Sequence, residues 1–459
     1  MRTSAGHATR VFARHALTTR FEDLSDDAVA QAKIFILDTF GVGIAGSTAY
    51  GADALAAASD GWGAGAQATL WGRRQRAPAT TAALVNGFQV HCQEYDCVHE
   101  GAVLHPMTAT LPAAIAYAER EGGVAGRDLL TAVAVGVDVA AGLGIASKSP
   151  MRFFRPATAG GFGATAAVGR LMRLSAQQLV GAFGVQYTQT SGTLQPHVEG
   201  SATLPLQVGM NSRAALQSAD LTRAGMVGPQ DVFEGPYGYL RLFEGEWDLD
   251  PVFAMLGTRW LVAELSHKPY PAGRATHAGI EGVIALRQQH RFGIDDVEAI
   301  SIVGPPVTAR LCARPDVADP SPNYARLCMA YIAAKVLLHG EIDLAHYRGT
   351  GLTDPQTHRL AQRITMTSDA STDPNALLPV DVTIRLVNGA ALHWHCDAML
   401  ASPARRLTRA QHLTKFRRCC EFAQATFPPA QQQALIDAVD DLEGIADIRS
   451  LTSLLAPIA

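Results

Sequence analysis

The sequence predicts a mainly α protein that carries a smaller α+β unit. Three observations lead there. Ala-rich segments with apolar residues three and four apart run through residues 25–225, broken by Gly, Pro and short polar turns. Alternating, strand-like segments appear only after about residue 265, and helical texture returns near residue 407. The expected organisation is a helical domain over residues 1–265, an α+β unit over 266–400, and C-terminal helices over 401–459 that return to the helical domain.

The elements follow in order. Residues 26–47, DDAVAQAKIFILDTFGVGIAGS, place Val29, Ala32, Ile36 and Phe40 close to one helical face, with Gly at the end. Residues 86–96 and 108–119 read as further helices. The apolar run LLTAVAVGVDVAAGLGIA from Leu129 is interrupted by Asp138 and rich in Gly, so it reads as a helix buried in protein, with no membrane partner expected. The stretches GLGIAS (142–147) and AGGFGAT (159–165) follow no strand and do not match GxGxxG, so close helix packing is expected of them.

Strands are expected at VEAISIVG (297–304) and RITMTS (363–368). VDVTIRLVNGAALHWHC (380–396) has the pattern of a hairpin: Val380, Val382, Ile384 and Leu386 alternate on one arm, and Leu392, Trp394 and Cys396 on the other. Asn388-Gly389 supplies the positive-φ turn between them. His393 and His395 share a strand face but make an incomplete ligand set, which favours a solvated face.

Composition narrows function. With 459 residues, 48% hydrophobic and 17% charged, the chain has material for two substantial cores. A net charge of -4 leaves no electrostatic footprint for nucleic acid, and a small molecule is the expected partner. MRTSAGHATRVFARH lacks the apolar stretch and cleavage site of an export signal, so a cytoplasmic location is expected. The seven cysteines form no CxxC pair, which fits reduced thiols and argues against an iron-sulfur cluster.

Chemistry concentrates in HCQEYDCVHEGAVLHP, residues 91–106, with three histidines, two glutamates, an aspartate and two cysteines. His99-Glu100 begins like HExxH, but the next histidine is His105, beyond Gly101, so no metal is expected. Nothing around Cys92 or Cys97 marks a thiolate, which leaves them as packing residues. Proton transfer is the remaining chemistry. Adjacent carboxylates fix a histidine's tautomer or hold its cationic form, and His105, before Pro106, is expected on a loop. A histidine that merely packs at a helix start stays open as the alternative.

Several stretches together resemble the MmgE/PrpD family, which contains 2-methylcitrate dehydratase, cis-aconitate decarboxylase and iminodisuccinate epimerase. They are ILDTFGVGIAG (36–46), LVNGFQVHCQEYD (84–96), the His105-Pro106 pair, GFGATAAVGRL (161–171), SHKPYPAGRATH (266–277) and LTRAQHLTKF (407–416), in the family's order and across almost the whole chain. The resemblance implies a large helical domain, an α+β lid, a homodimer, and a site between the domains that handles small di- or tricarboxylates without metal or organic cofactor.

Carried over residue by residue, the resemblance places the family's acidic run on Glu94, Asp96 and Cys97, its His-Pro histidine on His105, and its Lys-x-Tyr-Pro motif on Lys268, Tyr270 and Pro271. His105 would be the general acid/base, Glu94 or Asp96 would orient it, and Lys268 would stabilise an enolate-like charge. Tyr270, Arg274, His277 and, from the lid, Tyr331 would contact substrate. The chain departs from the pattern at Glu94 and Cys97, where Asp is usual, near Arg155, where a histidine is usual, and around Leu204 and Gln207, where a lysine and a histidine are usual. Arg155 would restore one cation. The loss of the others implies a less charged substrate.

The expected function is thus a cofactor-independent lyase, a dehydratase or hydratase, acting on a small hydroxy-carboxylate. The rivals are an epimerase, a decarboxylase of a small polycarboxylate, and a non-catalytic ligand-binding homologue.

Overall fold

The computed structural model describes residues 6–457. Its longer helices are α1 (His7–Thr18), α2 (Asp26–Gly46), α3 (Ala79–His91), α4 (Met107–Glu121), α5 (Gly126–Ala146), α6 (Arg155–Leu171), α7 (Ala176–Gln189), α8 (Thr203–Arg223), α9 (His277–His290), α10 (Met329–His339), α11 (Arg409–Cys420) and α12 (Pro429–Asp440). The strands β1 (Val297–Gly304), β2 (Ile364–Ser368), β3 (Val380–Leu386) and β4 (Ala391–Cys396) form one sheet in the order β2-β1-β3-β4. The mainly α class with a smaller α+β part is therefore borne out.

Helix α2 shows how the sequence builds the helical layer. Ser25 caps it by accepting the Ala28 N–H at 3.2 Å, and Asp26 and Asp27 complement the dipole in the first turn. Beyond Gln31 the helix is buried on nearly every side, between α3 and the C-terminal α11. The Gly-rich stretches do serve close packing. Helices α5 and α6 cross where a Cβ on Gly136 would lie 2.9 Å from the Gly163 carbonyl oxygen, and a Cβ on Gly163 would collide with that of Gly136. Helices α2 and α5 are long and apolar enough to cross a membrane, but both are mostly buried inside the protein. Within α5, the Asp138 carboxylate is held by the His15 ring and the Leu261 N–H, each at 2.9 Å.

Apolar side chains gather into two main cores. One joins residues 8–265 with Leu327 and residues 416–455, so α11 and α12 pack beneath α2. The other lies within residues 272–399, where α9 and α10 cover the sheet. β1 pairs in parallel with β2 (Ile300 with Ile364) and antiparallel with β3 (Ile300 with Ile384). The β3-β4 hairpin turns at Asn388-Gly389, with Gly389 at φ 87°. His393 and His395 lie on its open face, and the His395 ring sits 2.6 Å from Asp381 and 3.0 Å from Asp397.

One expected helix differs. Instead of spanning 86–96, α3 starts earlier and ends at His91, so the acidic residues lie on a loop. Glu94 takes a left-handed φ of 50°, and Val98 then pairs with Ser266 through reciprocal backbone bonds of 3.0 and 2.8 Å. That pairing outcompetes helix continuation.

Candidate active site

The Val98–Ser266 bridge lays the loop after α3 against the segment that enters the lid, and this is what brings Lys268 to the acids. Lys268 is fully buried. Its Nζ donates to Glu94 Oε2 at 2.8 Å and lies 3.7 Å from Asp96 Oδ1. The other Asp96 oxygen, Oδ2, is 3.0 Å from both His91 Nδ1 and His105 Nδ1, and accepts the Thr108 hydroxyl at 2.8 Å. Glu94, Asp96, His105 and Lys268 thus form one cluster, joined by His91.

The two histidines are set apart by their surroundings. His105 Nδ1 also lies 2.9 Å from the Cys97 carbonyl. Carboxylate and carbonyl are both pure acceptors, so in the neutral ring the proton sits on Nδ1 and Nε2 is basic. Burial, aided by Lys268, lowers the His105 pKa despite Asp96. Burial also works against a charge on His91, but Asp96 and Glu94 outweigh it and raise its pKa. Lys268 with two carboxylates leaves one negative charge, which favours the protonated form of His91. The carboxylates resist burial in the same way: Lys268 and the two histidines hold Glu94 at about 2, and the histidines with Lys268 hold Asp96 well below the usual range. Titratable neighbours pushed in opposite directions make this cluster a candidate for acid/base chemistry.

His105 and Glu94 line a small cavity of about 60 Å3 whose other polar walls are His197 and Arg274 and whose remaining walls are mostly apolar, including Phe154, Leu327 and Leu377. Lys268 does not line it, so its charge acts through Glu94 and Asp96. Arg274 does line it, but Nε and Nη2 donate to Glu100 Oε1 at 2.9 and 2.7 Å.

Four of the expected substrate contacts stand elsewhere. Arg155 is completely buried in an ion pair with Glu244 at 2.9 Å and also donates to Ser147 and Asn375, so its guanidinium is already consumed. Tyr331 lies in the lid core with its hydroxyl 2.9 Å from the carbonyls of His346 and Gly351. His277 braces Arg274, with Nδ1 3.3 Å from its Nη1 and Nε2 3.1 Å from the Ala272 carbonyl. Tyr270 packs its ring on His277, 5.3 Å between centroids. None of these four lines the cavity. At the departure positions, Leu204 is buried in the helical core and Gln207 donates to the Thr193 carbonyl at 3.1 Å.

Two residues escaped the sequence reading. His91 was passed over because its partners, Glu94 and Asp96, reach it only once the helix ends at His91 and the chain turns back. His197 carried no signal beyond a lone histidine after proline, yet it lines the cavity with Arg314 Nη2 3.1 Å from its Nδ1. Burial and Arg314 push its pKa down to about 4. Nδ1 accepts from the guanidinium, so the neutral ring carries its proton on Nε2.

Residues 10–252 match the MmgE/PrpD N-terminal domain and residues 270–443 the MmgE/PrpD C-terminal domain. The chain belongs to the MmgE/PrpD family. Similar curated proteins include the cis-aconitate decarboxylases of Mus musculus, 26% identical over 97% of this chain and 93% of theirs, and of Homo sapiens, 25% identical over 94% and 91%. The cis-aconitate decarboxylase-like protein oryM of Aspergillus oryzae is 25% identical over 99% of this chain and 98% of its own. In this MmgE/PrpD chain Asp96 and His105 lie within the first matched domain, and Lys268 lies in the segment between the two matches, two residues before the second begins.

Proposed function

We propose that this protein is a lyase of the dehydratase type acting on a small hydroxy-carboxylate. The observation that carries the reading is His105: a neutral histidine, its proton held on Nδ1 by Asp96 and Cys97, that lines a cavity. Its Nε2 would take the proton next to the substrate carboxylate, leaving an enolate-like carbanion. The electron pair then forms the carbon-carbon double bond as the hydroxyl departs, and His105 returns its proton to that hydroxyl to make water. Asp96 holds the ring throughout, and Lys268 keeps Asp96 and Glu94 ionised.

Cavity charge supports a lightly charged substrate. Its one lining cation, Arg274, is already paired with Glu100, and Glu94 adds a negative wall. A tricarboxylate needs several compensating cations. The names of the relatives favour a second reading, decarboxylation, in which CO2 departs and His105, having first taken a proton on Nε2 from solvent, gives it to the carbanion that remains. The proposal includes a homodimer: among the described residues, seven of the eleven large apolar side chains left exposed, including Val198, Met226, Val227 and Tyr237, fall between residues 198 and 242, and light scattering would measure the mass.

Proton NMR of a carboxylate panel in D2O tests the reaction. Vinylic signals establish elimination, loss of a carboxylate establishes decarboxylation, and deuterium exchange with scrambled stereochemistry establishes epimerisation. Silence across the panel with heat of binding in calorimetry would make the chain a binding protein and overturn the proposal.

A further inference from the structure

Behind the candidate active site lies a second buried cluster that the proposed chemistry does not use. Asp38 from α2, His267 from the strap into the lid, and His412 from α11 are only 2%, 5% and 2% exposed. One ligand-type atom from each lies within 4.8 Å of the others. Four of their polar atoms, Asp38 Oδ2, His267 Nε2 and both ring nitrogens of His412, have no hydrogen-bond partner in the protein. Buried polar atoms are paired as a rule, so orphans on three residues from three segments call for a common partner that takes one atom from each.

We propose that Asp38, His267 and His412 bind one divalent transition-metal ion of the zinc class. Two imidazoles and a carboxylate are a known donor set for such an ion, with solvent in the fourth position. The second Asp38 oxygen is held by Lys415 Nζ at 2.7 Å, the outer hydrogen bond that orients a ligating carboxylate. The same ammonium repels a cation, which sets the affinity below that of a four-ligand structural zinc site.

The position gives the ion a role. His267 directly precedes Lys268, and Lys415 also donates to the carbonyl of Tyr95, between Glu94 and Asp96, at 2.8 Å. An ion here clamps α2, α11 and the lid strap together beneath both halves of the acid/base cluster, as a structural fastener and not as a reagent.

The test uses the full chain, stripped with chelator and titrated with Co2+ and Zn2+. One equivalent of Co2+ should saturate a visible ligand-field spectrum, Zn2+ should displace it, and Zn2+ should raise the melting temperature. His412→Gln and His267→Gln, each checked for folding by circular dichroism, should weaken Co2+ binding by at least about tenfold. His91, Asp96 and His105 also bring ligand-type atoms within 4.8 Å of one another, so His105→Gln is the control: it should leave the titration as it is. Absence of a Co2+ spectrum, binding that survives both glutamine variants, or binding lost with His105→Gln would each overturn the proposal.

Discussion

The two histidine clusters are close chemical relatives with different characters. Each has one aspartate, two histidines and a buried lysine: Asp96, His91, His105 and Lys268 in one, and Asp38, His267, His412 and Lys415 in the other. In the first, Asp96 touches both rings, Glu94 adds a second carboxylate, and the two histidine pKa values are driven apart. In the second, Lys415 neutralises the lone carboxylate, and both rings stay neutral. One extra acid and an opening onto a cavity set the first cluster apart, and on the proposed readings they separate a proton-transferring histidine from a fastening.

Removing His105 is the sharpest way to break that contrast. His105→Ala should lower kcat by about 10^2–10^4-fold in the NMR assay with the melting temperature little changed, because the side chain lies at the cavity wall. Lys268→Met should act through stability instead. It strands two buried carboxylates, so urea unfolding should show a loss of about 3–5 kcal/mol, and adding Glu94→Gln should recover part of it. Arg155→Met checks the corrected assignment: it strands Glu244, so stability should fall while KM of the folded enzyme holds.

The clusters should also separate by pH. Glu94 is depressed from 4.5 to about 2, so its stabilisation is full above pH 4.5 and drains away as pH falls towards 2. His412 is depressed from 6.5 to about 3, and the unfolded chain binds the proton more readily, so stability falls as pH drops from 6.5 towards 3. His91 runs the other way: its raised pKa gives stability that is full below 6.5 and is lost as pH rises through the folded value. Urea midpoints against pH should therefore lose part of their slope between pH 6.5 and 4.5 in His412→Gln, where His105, His197 and His267 still contribute, and only below pH 4.5 in Glu94→Gln.

What was legible from sequence follows from range. Helices α2 and α5 and the β3-β4 hairpin announce themselves because periodicity and turn chemistry are local, and Asp96, His105 and Lys268 were carried by family pattern. Arg155 was misplaced because its partner Glu244 lies 89 residues away, where no spacing rule reaches. The end of α3 was missed for a related reason: the strand-like pairing that stops it joins Val98 to Ser266, and only the folded chain brings them together. Cluster composition was readable, whereas which acid meets which ring was not.

His197 gives the smallest effect and the finest discrimination. Its neutral ring, fixed by Arg314 at 3.1 Å, offers an Nε2 donor to a cavity where His105 offers an Nε2 acceptor. A donor that only holds substrate contributes equally to ground state and transition state, so its removal should change KM and spare kcat. A hydrogen bond to a carboxylate is worth about 1.5–3 kcal/mol, which corresponds to roughly a 10- to 150-fold rise in KM for His197→Ala. Arg314→Lys should give a smaller rise, since an ammonium still donates to Nδ1 without the planar fork. If kcat fell with KM unmoved, His197 would belong with His105 as a proton carrier, and the cavity would hold two working histidines instead of one.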